Sequence, residues 1–489
     1  MKARANKNER KKNNDMVVIK PRPLLSLYTP KITVPGNADE RRYFQLFSQT
    51  TAAELCGYFD SAFWARTVLQ ASLNEASIRH AVTAIAALSK IAEEKLTNPQ
   101  PMGISIIMNE HYRFGIQQYN KAIMSLRETL ASKENVLRTA LIACILFVCI
   151  EAIQGDQAAA SGQIHGGLNL MQQVSRSRLQ RDGSRVQPII EDEIIQIYAN
   201  MNLQSFFLVF SEVPHHPPMP IPSHMQESQR HIFSSSMPSF FTSISEAKRA
   251  LDLILNSIVQ FYCTCATSTE GKVDKYAHHH ALLRQWESAF QPLLIRAKAA
   301  ADMNLDAKMA PVVLSAYHRV GLIVLAGSVR PEETTFDGLR KDFLYIVSSC
   351  RSVLDALTGT SSNSALRLGP PRARFIFETG IIPLLYIVGS KCREPALRRQ
   401  AIGLLKMCPV QEGLWEPFGI SRICEWLMEI EEQGISKDGG RRAFVPESSR
   451  VKLSGMQCEF NRRIWVQCKG VVPQTEDGLV KVWETVITW

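Results

Sequence analysis

The sequence predicts an all-α fold, a large multi-helix domain of αα-hairpins preceded by a disordered basic N-terminal tail, and three observations carry that reading. Helix-forming residues dominate the 489-residue chain while strict apolar/polar alternation is scarce. Apolar residues recur at three- and four-residue spacing in one segment after another. Finally, Ala140 to Ile150 is an unbroken run of apolar or small residues. A helix that is apolar all round must be surrounded, and this run, closed by Arg138 and Glu151, is too short to span a bilayer. It therefore marks the central helix of a protein core, with Cys144, Ile145, Val148 and Cys149 expected deep inside.

Residues 1–42 hold eleven Lys or Arg against four Asp or Glu, so net +7 of the chain's +10 lies in this short segment. It has four prolines and too little apolar mass to offset the entropy of ordering, which predicts disorder. Lys7, Arg10, Lys11 and Lys12 form a positive cluster of the kind that presents to an acidic nuclear-import receptor, or that merely keeps a tail soluble.

The helical domain is expected over 43–434. Seven aromatic residues from Tyr43 to Trp64 begin its core in about two helices. Ile78, Val82, Ile85 and Leu88 then share one face of a helix over 75–91, with His80 on its solvated flank. Tyr112, Ile116, Tyr119, Ile123, Leu126 and Leu130 stripe the next, a row whose spacing suits core packing. Next comes a tight hairpin, in which Gly155 ends the central helix and Asp156 caps its partner. The second arm has Ala158, Ala159, Gly162, Gly166 and Gly167, small enough for close approach. A helix over 189–210 follows, and then a proline-rich loop near 213–240, with five prolines between Pro214 and Pro222. Helices are expected over 243–264, 278–300, 309–328 and 339–357, and three more across 368–434. Arg372, Arg374, Arg393, Arg398 and Arg399 give that last part a basic face read as solvated surface. Residues 435–489 read as a C-terminal extension of the same domain with enough alternation for a small strand element; otherwise almost no sheet is expected.

Catalytic signatures are missing: the sequence contains no GxGxxG, GxxxxGK[ST], GxSxG or HExxH. The acidic pairs Glu93–Glu94 and Glu431–Glu432 read as helix surface. His278, His279 and His280 would point about 100° apart on a helix and cannot converge on one metal ion. The eleven cysteines include no C-x2-C pair, and their apolar settings suit buried free thiols of a reducing compartment. We therefore expect no catalytic, cofactor-binding or metal residues, no enzyme activity and no membrane span.

The segments RRYFQLFSQTTAAELCGYFDSAFW, SIRHAVTAIAAL, HYRFGIQQYNKAI, LFVCIEAIQGDQAAASGQIHGGLNLM and KCREPALRRQAIGLLKMCPVQEGLWE, in that order, resemble the regulatory region of fungal-specific transcription factors with a binuclear zinc cluster. The resemblance runs from about Arg41 to the C-terminus. It implies an all-α regulatory domain, a nuclear location, and often control of clustered secondary-metabolite genes. In the family a short module with six cysteines clamping two zinc ions reads DNA, and it should precede Arg41. Residues 1–55 contain no cysteine, so zinc, the family's cofactor, has no ligands there. The expectation is a transcriptional regulator acting through transcription machinery or a DNA-binding partner protein, with direct DNA contact weak and non-specific. A helical scaffold or interaction protein without a transcriptional role is the alternative.

Overall fold

The computed structural model of the chain describes residues 35–59, 61–97, 109–132, 136–180, 190–208, 237–265, 271–299, 305–330, 332–358, 374–433, 445–459, 462–473 and 479–489. Helix α1 (Ala38–Leu46) starts inside the last residues assigned to the tail, because Asn37 and Glu40 form a reciprocal capping box. One π-helical turn (Phe47–Thr51) continues into α2 (Ala52–Leu55), and a second (Phe63–Thr67) into α3 (Val68–Asn74). Then come α4 (Ala76–Thr97), α5 (Glu110–Ser132), α6 (Leu137–Gln154), α7 (Gln157–Gln180) and α8 (Asp192–Leu208).

Helix α6 is the predicted central helix, and α4, α5, α7 and α8 all pack on it. Leu141, Ile142, Ala143, Ile145 and Leu146 are fully buried. Cys149 is buried as expected, but Cys144 is only half-buried. The hairpin forms as read: Gly155 adopts φ +82°, and the Asp156 carboxylate accepts from the amide of Ala159 at 2.9 Å. Of the small residues in α7, Gly167 serves close approach, since a Cβ there would meet the Tyr198 hydroxyl at 2.2 Å. Gly162 and Gly166 instead face open space. The α5 stripe buries Tyr119 and Leu126, whereas Leu130 is exposed at its end.

The second half repeats the packing with α9 (Ile244–Cys265), α10 (Lys272–Ala299), α11 (Leu305–Val329), a 3-10 turn (Glu333–Leu339), α12 (Arg340–Thr358), α13 (Ile382–Lys391), α14 (Pro395–Met407) and α15 (Pro417–Glu432). Helix α8 bridges the halves by packing on both α7 and α9. One apolar cluster runs without a break from Tyr43 to Cys468. Helices α6 and α11 carry windows long and apolar enough to cross a membrane, but 67% and 61% of those windows is buried within the protein.

One feature departs from the expectation of almost no sheet, and a second meets the small strand element read near the C-terminus. β1 (Arg374–Ile376) and β2 (Val410–Glu412) form a short parallel pair between helices. Near the C-terminus, β3 (Val451–Glu459), β4 (Arg463–Gly470) and β5 (Val482–Thr488) make an antiparallel sheet in sequential order. Val451, Leu453, Ile464, Val466 and Cys468 turn inward onto the helical core, so this sheet shares the main core.

Candidate functional site

The described interior concentrates its polar chemistry in three places. The first lies between α8, α9 and the segment after β1. Lys248 contacts Asp252, one turn along α9, at 2.8 Å and Glu378 at 3.5 Å. Asn200 donates to Glu378 at 2.6 Å, and Gln196 donates to Asp252 at 2.8 Å. Burial opposes the charge on Lys248, but the two carboxylates outweigh it and raise its pKa; burial raises that of Glu378 despite Lys248. Phe59, Tyr317 and Thr379 close a small cavity beside Lys248, with room for about one water molecule. Its lining has no Ser, Cys or His. Such a site can hold α8 and α9 in register with the β1 segment, and its cavity leaves no space for an organic substrate.

The second place is Glu412 at the end of β2, fully buried, accepting from the amides of Gly380 (3.1 Å), Ile381 (2.8 Å) and Ile382 (2.9 Å) at the start of α13. Burial pushes its carboxyl up to about 7, against the pull of the three amides. A Cβ at Gly380 would lie 2.3 Å from the Glu412 carboxylate, so only glycine lets the helix end approach so closely.

The third place corrects the sequence reading. Arg393 and Arg398, expected on a solvated face, and Glu431, expected on a helix surface, are each buried. Glu431 meets Arg393 at 2.7 Å and Arg398 at 2.6 Å, while Glu333 meets Lys391 at 3.0 Å and Arg393 at 2.9 Å. Burial resists the charge on Glu431, but the two guanidiniums hold its carboxyl down at about 2. The amide of Val451 donates to Glu431 at 3.0 Å, which ties β3 to α15. Arg399, by contrast, is half-exposed and pairs with Glu432. The network fastens α13, α14, α15 and the sheet to the 3-10 turn before α12.

The histidines also have packing partners. His80 is half-buried rather than solvated, 2.7 Å from Gln118. His279 sits between Ser257 at 2.9 Å and the carbonyl of Lys275 at 2.6 Å, stacked on Phe261. Among the described residues no three His, Cys, Asp or Glu gather as metal ligands, and the first cysteine of the chain, Cys56, at the end of α2, donates to the carbonyl of Ala52. The described residues thus offer no cysteine cluster of the kind the resemblance implies for zinc. Lys7, Arg10, Lys11 and Lys12 lie outside the described residues.

Sequence reasoning missed the Lys248 cluster. Its signal was a Lys and an Asp one turn apart among the apolar residues of an amphipathic helix.

Residues 42–209, which run from within α1 past the end of α8, match the family model of the Fungal specific transcription factor domain. The chain is 33% identical over 111 residues to Transcription regulator lscL of Purpureocillium lilacinum, covering 22% of this chain and 26% of that protein. It is also 33% identical over 86 residues to the Aspercryptin biosynthesis cluster-specific transcription regulator atnN of Emericella nidulans, covering 17% of this chain and 14% of that protein. The chain thus spans about a quarter or less of the length of these curated relatives. No solved structure matches the chain.

Proposed function

We propose that this chain is a nuclear transcription regulator of a biosynthetic gene cluster for a secondary metabolite, working through its helical domain and not as an enzyme. The supporting observation is the family match over 42–209, joined by the likeness to two transcription regulators, one of them cluster-specific. In this reading the helical body acts through transcription machinery or a DNA-binding partner protein.

Two outcomes follow from this reading. A fluorescent fusion in which Lys7, Arg10, Lys11 and Lys12 are all changed to Ala spreads into the cytoplasm, because the tail holds most of the chain's net charge; unchanged nuclear accumulation would reduce the tail to a solubilising arm. Purified protein titrated against a candidate promoter fragment and its scrambled counterpart binds both weakly, with Kd on the order of 10⁻⁴ to 10⁻⁶ M at physiological salt, since a basic tail can touch phosphates without reading base edges. A preference of roughly a thousandfold for the promoter would show a sequence reader in this chain.

A further inference from the structure

We propose that the cavity beside Lys248 binds one ordered water molecule, held by the Tyr317 hydroxyl, Asp252 and Thr379, and that this water is a joint between the two halves of the helical body. Four parts of the chain contribute polar side chains to the cavity wall: Asn200 from α8, Lys248 and Asp252 from α9, Tyr317 from α11 and Thr379 from the segment after β1. An enclosed space with room for about one water molecule stays dry when its walls are apolar and fills when two or more polar groups converge on it.

The Tyr317 hydroxyl is the group that asks for a ligand. Tyr317 is 5% exposed, and among the described residues its hydroxyl oxygen, buried from solvent, makes no direct hydrogen bond. Burial raises its pKa well above the ordinary tyrosine range, so it keeps its proton and is a donor in need of an acceptor. Thr379 and Asp252 are among the groups that act on it, and both line the cavity. Neither bonds it directly. Asp252 has an oxygen to spare: Lys248 and Gln196 both donate to Oδ2 at 2.8 Å, and among the described residues no donor reaches Oδ1. A water between these groups accepts from Tyr317 and donates to Asp252 and to the Thr379 hydroxyl, three bonds in all, which is the usual complement of a buried water.

The wall also rejects other occupants. The Lys248 ammonium repels a metal ion, and the carboxylate and hydroxyls give an apolar guest nothing that it does not cost to desolvate. The remaining lining is apolar, with Phe59, Leu203 and Phe207 from the half that carries the 42–209 match and Leu255 and Leu314 from the other. The water is thus a polar link across a largely apolar seam, and it extends the Lys248 cluster from α8 and α9 to α11.

Two measurements on the full chain test this. A high-resolution crystal structure should show a density peak within hydrogen-bond distance of Tyr317 Oη and of Asp252 Oδ1 or the Thr379 hydroxyl. Urea denaturation of Y317F reads the same site by the sign of its effect. Removing a hydroxyl that bonds a water lowers the midpoint, whereas removing a buried hydroxyl without a partner relieves a desolvation cost and leaves the midpoint unchanged or higher. The expected result is a fall of roughly a few tenths of a molar. Should Y317F fail to express, T379V, which exchanges the hydroxyl for a methyl group, decides by the same sign. No peak at this place, a peak with the short contacts of a metal ion, a direct bond from Tyr317 to Thr379, or a midpoint that does not fall overturns the proposal.

Discussion

Replacing Glu431 by Ala should lower the unfolding free energy by about 3 to 5 kcal/mol, because it leaves the guanidiniums of Arg393 and Arg398 buried without their shared carboxylate. Arg393 keeps Glu333 at 2.9 Å, but Arg398 loses its carboxylate partner and keeps its bond to the carbonyl of Gly389 at 2.8 Å. The adjacent residue supplies the control. Glu432 pairs with Arg399 at the surface, and an exposed pair of this kind is worth about 0 to 1 kcal/mol. Urea denaturation of E431A and E432A should therefore show a large fall in midpoint for the first and nearly none for the second. Similar midpoints would mean that the interior of the α13–α15 region tolerates unpaired charge.

The second large effect is at Ile145, fully buried on the helix that four others enclose. An unpaired carboxylate there costs several kcal/mol against a total stability of roughly 5 to 15. Ile145→Asp should abolish soluble expression, and Ile145→Val, which removes one methylene group, should cost only about 0.5 to 1.5 kcal/mol. Soluble, cooperatively melting I145D protein would place α6 elsewhere than at the centre.

The helical scaffold was legible because it rests on local signals. The apolar run of α6, the Gly155–Asp156 break and the 3.6-residue stripes of α4 and α5 each state an element within a window of a few turns. The buried charges were not legible for the opposite reason. Arg393 and Arg398 sit in a segment that reads as polar surface, and their burial depends on Glu431, more than thirty residues later, and on Glu333, some sixty residues earlier. Periodicity also gave no hint of β1 and β2, since three-residue strands carry too little alternation to register, and their pairing joins residues 374 and 410. The C-terminal sheet was visible only as loose alternation, and its pairing depends on a register that no single strand encodes. The Lys248 cluster needed three separate segments to be brought together before its carboxylates could outweigh burial.

Deleting the gene for this chain and profiling transcripts during metabolite production tests the proposed function most directly. The account predicts a change in expression of one contiguous block of biosynthetic genes, restored by the wild-type chain and not by I145D. Unchanged expression of every such block, or full restoration by I145D, would contradict it.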